Sequence, residues 1–392
     1  MRISTPQIYD NGTNGLLRNQ YDLYRLQNQL STGRKVVTPA DDPVAAAQAL
    51  LTEQKKNVNQ QFLDNQGNAD GQLRELESLM GSVGELLTQA KVRWVEAGNG
   101  GYSNDELKSI AQDIRGKFDE LLGIGNNADA NGLYRFAGYQ GGTIPFVRTG
   151  NTVSYQGDSG ERLLQVETSR FMPVNFSGRA FFEAVPTGNG VFVTGAGAGN
   201  TGSGVINNGT VVGNFDGNSY EIQFTSPTSY DVLQNGLPFT TGNAYVSGDP
   251  INLGGAQVSI TREPAAGDTF TIEPSREESM FTTLDKFIQT LETGNPSSAE
   301  FQNAMQRIGA SLDQGLQHAV DSRAIVGARM LELEDLKNLG QDLDVQYKTQ
   351  ISELVDLDLA SAISELAKKE LQLNAAQQSF VKVTGLSLFN YI

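Results

Sequence analysis

Few side chains in this sequence could carry out chemistry, and they are scattered along the chain. The 392 residues include no cysteine and a single histidine, His318. Without cysteine there is no disulfide, thiol nucleophile or cysteine-bound zinc, and one histidine cannot form a catalytic dyad or a two-histidine metal site. We therefore interpret His318 as a surface or interhelical residue.

Asp356 and Asp358 are a possible carboxylate pair, but they are only two positions apart. Residues at this spacing do not share a helix face, so the two side chains cannot act together on one substrate atom. The spacing favours solvation or contacts with neighbouring subunits. The sequence therefore predicts no catalytic residue, and we expect a protein that is not an enzyme.

Two segments imitate ligand-binding motifs. Gly197, Gly199 and Gly202 have the spacing of a dinucleotide-binding loop, but the following residues cannot open the helix that would hold a pyrophosphate. The stretch from Gln66 to Glu77 partly fits a calcium loop, but Gln66 stands where the first aspartate is needed. We interpret the first as a surface loop and the second as a helix joint softened by glycine, and we predict no cofactor and no metal.

The composition limits the possible partners. Asp and Glu number 45 against 29 Lys and Arg, which gives a net charge of −16, and no lysine occurs between Lys117 and Lys286. This charge disfavours nucleic acid and anionic membranes as partners. No apolar run is long enough to span a membrane, and no signal-peptide core follows Met1. If the protein leaves the cell, we expect it to do so by another route.

Both ends of the chain carry an apolar stripe with a period of seven residues. Such a stripe predicts a long amphipathic helix that needs a partner on one side, and each end can supply the partner of the other. Lys369 interrupts the C-terminal stripe, and Gly385 is expected to end that helix. The candidate assembly interface comprises Leu16, Leu23, Leu26, Leu30, Leu359, Ile363, Leu366, Leu373, Phe380 and Val383.

Helix signals continue inward from the N-terminus. Gly33 is expected to interrupt the first helix, and Asp42 with Pro43 is expected to start the next, which carries Val44, Ala47, Leu51 and Val58 and continues or restarts after two glycines. Ser103 with Glu106 predicts a capping box for a further helix, and Ser297 with Glu300 predicts another near the C-terminal half. Residues 1–15 are polar and rich in turn-forming types, so we expect them to be disordered in the free monomer.

The middle of the chain has the signature of β structure. Residues 220–224, 257–261 and 268–272 alternate between apolar and polar types, and Asn131-Gly132, Asn208-Gly209 and Asn235-Gly236 are typical of hairpin turns. This predicts an antiparallel β domain, either a sandwich or a partly open barrel, inserted into a helical frame. We expect the helices to stay folded when residues 150–273 are removed.

The predicted fold class is α+β multidomain, with N- and C-terminal long helices packed as a coiled-coil-like bundle around an inserted antiparallel β domain. The expected parts are a disordered N-terminus with a terminal helix, the N-terminal part of a helical domain, the β domain, the C-terminal part of the helical domain, and a C-terminal helix pairing with the N-terminal one. Their predicted bounds are 1–37, 38–130, 131–278, 279–345 and 346–392.

Five short motifs can be distinguished in the helical parts of the chain and beside the β domain. They are Leu30–Pro43 (LSTGRKVVTPADDP), Asn131–Gly138 (NGLYRFAG), Thr143–Phe146 (TIPF), Val326–Arg329 (VGAR) and Leu386–Ile392 (LSLFNYI). In combination, the chain resembles the hook-filament junction proteins of the flagellin superfamily. The β stretch Tyr220–Pro274 is also similar to segments of hook-associated protein 1.

The resemblance implies a structural adaptor between hook and filament, secreted through the flagellar type III channel without signal cleavage. The implied partners are further copies of itself in a ring, hook-associated protein 1, flagellin, and an export chaperone that binds the C-terminal helix. One alternative is a flagellin-type filament subunit. Another, of a different class, is an extracellular carbohydrate-binding or adhesin module built on the β domain.

Overall fold

The computed structural model describes residues 5–99 and 101–385, and it confirms the predicted fold class. Long helices stand at both ends of the described chain, and all the β-strands lie between residues 146 and 278. The helices are α1 (Thr5–Thr32), α2 (Pro43–Gly98), α3 (Asn104–Gly125), α4 (Met280–Thr293), α5 (Ala299–Val355) and α6 (Leu359–Gly385).

The chain divides into two compact units. The terminal unit comprises Met1–Asn65 and Asp335–Ile392, and the central unit comprises Gln66–Glu334. Helices α2 and α5 contribute residues to both. The five bounds proposed from the sequence remain predictions, and the Leu386–Ile392 motif lies outside the described residues.

Most of the predicted helix starts are confirmed. The Asp42 Oδ1 atom accepts hydrogen bonds from the Val44 and Ala45 N–H groups at 3.1 and 3.0 Å, and Pro43 occupies the first position of α2. Ser103 and Glu106 form the predicted capping box at α3. The predicted box at Ser297 is wrong by one residue, because the Ser298 Oγ atom is the one that accepts the Phe301 N–H, at 3.1 Å.

Three helix predictions need correction. Helix α1 already begins at Thr5, so residues 5–15 are helical instead of irregular, while residues 1–4 lie outside the described part. Helix α2 has no joint at Gly67 or Gly71. Burial of Ala69, Leu73 and Leu76 outweighs a glycine cost of about 1 kcal/mol per residue.

The third correction concerns the C-terminal helix, which was assigned to the segment 346–392 and was expected to end at Gly385, as it does. A break over residues 356–358 separates α5 from α6. The Asp358 Oδ1 atom accepts the N–H groups of Ala360 and Ser361 at 3.0 and 3.3 Å, so this carboxylate caps α6. Asp358 thus has a structural role that the spacing argument did not foresee.

The central unit has a helical core built on aromatic residues. Phe281 of α4 contacts Phe118 of α3, Phe146 and Phe182, with ring centroids 5.8, 5.1 and 5.6 Å apart. Two short antiparallel hairpins cover this core, and Val166 and Met172 are buried beneath the second. The hairpins are formed by β1 (Phe146–Thr149) with β2 (Thr152–Tyr155) and β3 (Leu163–Glu167) with β4 (Arg170–Pro173).

The sequence motifs in this unit serve the packing of the core. Arg135 is buried and forms an ion pair with Glu75 of α2. Arg329 of α5 pairs with Glu161 at 2.9 Å. His318 is half-buried, and its Nε2 atom lies 2.9 Å from the Ala180 carbonyl oxygen, within a one-turn π-helix, which agrees with an interhelical histidine. These motif residues therefore hold the helical core together.

The inserted β domain is a sandwich of two antiparallel sheets. The sandwich strands are β6 (Phe192–Ala196), β7 (Val205–Ile206), β8 (Thr210–Val211), β9 (Tyr220–Ser226), β10 (Ser229–Gln234), β11 (Leu237–Ala244), β12 (Pro250–Leu253), β13 (Ala256–Thr261) and β14 (Thr269–Pro274). The strands β5 (Val185–Pro186) and β15 (Glu277–Glu278) pair with each other outside the sandwich. One sheet has the order β11-β10-β9-β14-β6, and the other has β12-β13-β7 with β8 also paired to β13. Side chains of both sheets, including Ile222, Phe270, Leu253 and Val258, share one core. This answers the choice between sandwich and barrel that the sequence left open.

The turn predictions have mixed outcomes. Asn235-Gly236 joins β10 to β11 with φ angles of 52° and 80°, as a tight hairpin requires. Asn208-Gly209 is not a hairpin turn, because β7 and β8 both pair with β13 and not with each other. A Cβ atom at Gly209 would lie 2.7 Å from the Phe192 ring, so glycine is needed here for a close approach.

The glycine-rich loop that imitates a dinucleotide-binding motif holds an anion supplied by the chain itself. The carboxylate of Asp268 is 1% exposed and accepts the N–H groups of Thr201, Gly202 and Ala265 at 2.8, 3.1 and 2.8 Å. A Cβ atom at Gly202 would lie 2.4 Å from the Ala265 nitrogen. The glycine spacing therefore serves a close approach to an internal carboxylate.

The sandwich is attached through a narrow neck. Strands β5 and β15 pair antiparallel, and the Thr187 N–H donates to the Arg276 carbonyl oxygen at 2.9 Å. The two ends of residues 188–275 are therefore adjacent. Asn303 of α5 adds a buried contact, because its side chain accepts the Ile206 N–H at 2.9 Å and donates to the Gly204 carbonyl at 3.0 Å.

We predict that Asp268→Asn weakens the sandwich, because an amide nitrogen would then face backbone N–H donors in a buried site. The opening free energy of residues 197–204, measured by hydrogen exchange, should fall by about 2 to 3 kcal/mol. The control is Asp249→Asn, at an exposed turn. Unchanged protection in the Asp268 variant would show that this carboxylate does not hold the loop.

We predict that replacing residues 188–275 by Asn-Gly leaves the helices folded, because β5 and β15 then close as a short hairpin. Circular dichroism should show a cooperative helical transition. Deletion of residues 150–273, which the sequence suggested, should instead unfold the core, because it removes buried Phe181 and Phe182. Loss of helix in the shorter deletion would mean that the sandwich is not modular.

Candidate assembly interface

The helices α1 and α6 of the terminal unit pack against each other in antiparallel directions, as the paired apolar stripes predict. Leu26 and Ala362 are buried, and most of the other stripe residues are half-buried. On α6 the less exposed positions recur at spacings of three and four, which is the pattern of a coiled-coil seam. They are Ala362, Leu366, Lys369, Leu373, Ala376 and Phe380.

Specific contacts mark this seam at two places along α1. Near the start of α1 the rings of Tyr9 and Phe380 meet edge to face, with centroids 5.2 Å apart. Near its middle the Lys369 Nζ atom donates to the Asp22 Oδ2 atom at 2.8 Å. The interruption that Lys369 makes in the apolar stripe is thus matched by a carboxylate on the facing helix.

Backbone hydrogen bonds join the α1–α2 break to the α5–α6 break. Gly33 ends α1 with a φ of 68°, and its carbonyl accepts the Leu357 N–H at 2.9 Å. The Lys35 N–H donates to the Val355 carbonyl at 2.8 Å, and the Lys35 ammonium donates to the Glu353 carbonyl at 2.7 Å. The ammonium therefore caps the carboxyl end of α5, where a cation is favoured.

The loop before α2 is closed by Asp41. Its Oδ2 atom accepts the N–H groups of Thr38 and Val37 at 2.8 and 3.2 Å. The hydrogen bond from the Thr38 N–H is the main cause that holds the pKa of Asp41 below its ordinary value. The two adjacent aspartates of the PADDP segment thus have separate tasks, since one closes the loop and the other caps the helix.

The buried apolar side chains of the terminal unit flank these breaks in sequence. Among its described residues they are Leu26, Val36, Ala45, Val355 and Ala362. Further along, α2 and α5 meet at Gly340, where a Cβ atom would lie 2.8 Å from Leu63 and where the carbonyl accepts the Asn59 amide at 2.7 Å. The unit is therefore built from helix pairs and has a small core.

Part of the predicted interface faces outward. Leu359, Ile363 and Val383 are 53%, 58% and 53% exposed, so they do not join the seam with α1. The seam holds the other seven predicted residues, which are Leu16, Leu23, Leu26, Leu30, Leu366, Leu373 and Phe380. The role of all ten in assembly stays a prediction.

Sequence reasoning missed a second apolar surface on α2. Val44, Leu51 and Val58 are seven apart and 67%, 59% and 43% exposed, although their pattern suggested ordinary helix packing. Leu51 also lines a groove between α2 and α5, with Lys55, Gln350 and Leu354 among its walls. The seven-residue period could have identified this stripe, but the sequence does not say which stripe meets a partner within the same chain.

A third apolar surface lies on α1. Leu17, Tyr21 and Tyr24 follow the i, i+4, i+7 pattern of one helix face and are 61%, 67% and 68% exposed. Exposed apolar stripes of this kind mark sites of protein association. Exposed apolar side chains thus lie on α1 as well as on α2 and α6.

The described chain contains no arrangement suited to metal binding. Residues 5–99 and 101–385 include no group of three histidine or acidic side chains that could hold an ion. Within the same residues, no helix combines the length and hydropathy needed to span a bilayer.

Comparison with known proteins finds similarity to proteins of the bacterial flagellum. A family model described as the bacterial flagellin N-terminal helical region matches residues 3–141. The chain is 27% identical to flagellar hook-associated protein 3 of Salmonella typhimurium over 393 residues, an alignment that covers 99% of each chain.

Solved structures extend the likeness to the fold. The crystal structure of FlgL from Xanthomonas campestris superposes with a TM-score of 0.71 at 27% identity and covers 77% of this chain and 99% of its own. The flagellar junction protein FlgL from Legionella pneumophila also gives 0.71 at 27% identity, over 79% of this chain and 100% of its own. This chain is therefore similar over nearly its whole length to flagellar hook-associated protein 3, and its residues 3–141 match the flagellin N-terminal helical region.

Proposed function

We propose that the chain is a structural adaptor that joins the hook to the filament of the bacterial flagellum and is required for filament assembly and swimming. The observation that carries this proposal is the set of exposed apolar stripes on a terminal unit made of helix pairs. Subunits of an axial assembly need such faces, because each must bury its helices against neighbours on more than one side. The proposal assigns no catalytic step to the chain.

The proposed partners follow from the position of an adaptor. Further copies of the chain would complete a ring, hook-associated protein 1 would lie on the hook side, and flagellin would lie on the filament side. We also propose secretion through the flagellar export channel, with an export chaperone on α6 beforehand. The half-buried and exposed apolar side chains of α6 support this last step, because they need cover before α1 and α6 have paired.

The full-length similarity to hook-associated protein 3 favours an adaptor over a flagellin-type subunit. The relatives that align with nearly the whole chain carry the name hook-associated protein 3, whereas the flagellin family model matches only residues 3–141. No observation in the β sandwich favours the carbohydrate-binding or adhesin alternative.

We predict that Leu366→Asp with Leu373→Asp abolishes swimming. Both side chains are half-buried in the seam with α1, and two carboxylates there should cost several kcal/mol, about 2 or more each. Cells should build hooks, release flagellin into the medium and fail to swim. Electron microscopy of hooks and immunoblots of the medium are the measurements.

The matched control is Ser364→Asp with Gln378→Asp, which adds two charges at exposed positions of the same helix. Control cells should swim. Normal filaments in the Leu366 and Leu373 double variant would refute the adaptor role of this seam.

We predict a different result for Leu51→Asp with Val58→Asp. These side chains are 59% and 43% exposed and lie outside the buried core, so the free energy of unfolding should change by only about 0.5 kcal/mol per site. Swimming should nevertheless fail, since the stripe would carry charges where a neighbour packs. Thermal unfolding of the purified protein and motility on soft agar separate the two effects.

Leu237→Asp is the control for that pair, because it charges an apolar residue of the sandwich that is 70% exposed. We expect it to leave swimming intact. A stable Leu51 and Val58 variant that swims normally would remove this stripe from the interface.

A further inference from the structure

The large apolar residues of the α1–α6 seam cannot by themselves fix which residues lie opposite each other. Leu16, Leu23 and Leu30 are seven apart on α1, and Leu366, Leu373 and Phe380 are seven apart on α6. A slip of one heptad would again place large apolar side chains opposite large apolar side chains. Something that does not repeat must choose the register.

The ion pair between Asp22 and Lys369 does not repeat. Their Oδ2 and Nζ atoms are 2.8 Å apart, and the two side chains are only 38% and 27% exposed. The residues one heptad from Asp22 are Gly15 and Gln29, and those one heptad from Lys369 are Ala362 and Ala376. A slip in either direction would therefore leave both charges partly buried without the opposite charge.

A second feature of the seam is also unique. A Cβ atom placed on Gly12 would lie 2.5 Å from the Phe380 ring, so the ring packs where a side chain is missing. The residues one heptad from Gly12 are Thr5 and Asn19, both of which carry side chains. A slip would thus bring Phe380 against a residue that fills the space its ring needs.

We propose that Asp22 with Lys369 and Gly12 with Phe380 are the residues that specify the register of the terminal helix pair, while the leucines supply burial without choosing it. The register matters because it decides which apolar residues stay on the outer faces of both helices. The inference concerns contacts within one chain and can be tested without any flagellar assembly.

Engineered cysteines can report the register, because the natural chain has none. Counting from the contact between Asp22 and Lys369, Asn19→Cys with Leu373→Cys reports the native register. Asn19→Cys with Leu366→Cys reports a slip of one heptad, and Leu26→Cys with Leu373→Cys reports a slip the other way. Disulfide yields in a glutathione buffer, measured by mass spectrometry on dilute full-length protein, give the ratio of slipped to native pairing.

We expect Lys369→Glu to raise this ratio by about fivefold or more, since it replaces an attraction by a repulsion. Lys368→Glu, at the exposed neighbouring position, should leave the ratio as in the parent. The exchanged pair Asp22→Lys with Lys369→Asp should restore native pairing. An unchanged ratio in Lys369→Glu would overturn the assignment of the ion pair.

If Lys369→Glu yields no cross-link in any register, the exchanged pair decides. Recovery of the native cross-link supports the proposal, and failure to recover it in a protein with parental helix content by circular dichroism refutes it.

The glycine has its own matched control. Gly12→Ala should lower the native cross-link several-fold, whereas Gly15→Ala should not, because no atom lies within 4 Å of a Cβ placed on Gly15. Both changes raise helix propensity equally, so a difference between them reports the Phe380 contact. Equal yields in the two variants would remove Gly12 from the register-setting pair.

Discussion

The terminal unit depends on the pairing of α1 with α6. A single amphipathic helix is marginal in water, and each of these helices has one face that needs cover. Pairing covers that face and places the break between α1 and α2 beside the break between α5 and α6. There the Lys35 N–H donates to the Val355 carbonyl, and the Leu357 N–H donates to the Gly33 carbonyl. Once the inner faces are covered, the apolar residues that remain outside are available to other molecules. The exposed apolar stripes are thus a product of the intramolecular seam.

In the central unit a different constraint applies, because its helices must approach one another closely and also carry an inserted domain. Trp94 of α2 donates its indole N–H to the Met305 carbonyl of α5 at 2.7 Å, and a Cβ atom on Gly309 would lie 2.4 Å from the indole ring. The sandwich is linked to α5 through the polar side chain of Asn303, which hydrogen-bonds the backbone of Ile206 and Gly204. The paired neck lets the chain leave the helical core and return to the same place.

Local signals in the sequence predicted much of this architecture. Asp42 with Pro43, the Ser103 capping box and the alternation in Tyr220–Phe224 all act through neighbouring residues, so they can be recognised without the fold. The break at residues 356–358 could not be recognised in this way. It contains no glycine or proline, and it depends on hydrogen bonds to Gly33, more than three hundred residues earlier in the chain.

The sequence predicted the seven-residue spacing of the candidate interface but not which of its residues face the partner helix. The seven-residue repeat found the stripes on α1 and α6, but Leu359 lies one heptad before Leu366 and yet faces outward. Whether an apolar position is inside or outside depends on where the partner helix lies, and that is decided by contacts such as the one between Asp22 and Lys369. The stripe on α2 was overlooked for the same reason.

The sequence separation between contacting residues also influences the order in which the parts fold. The sandwich is formed by a contiguous segment whose ends are held together by the neck, so all its strand pairings close shorter loops than the terminal seam does. The seam joins residues separated by 347 positions, as Asp22 and Lys369 are. Entropy favours closing short loops before long ones, so the sandwich can form while the rest of the chain is still extended. The two ends meet last, which makes the closure of the terminal seam the step that completes the subunit.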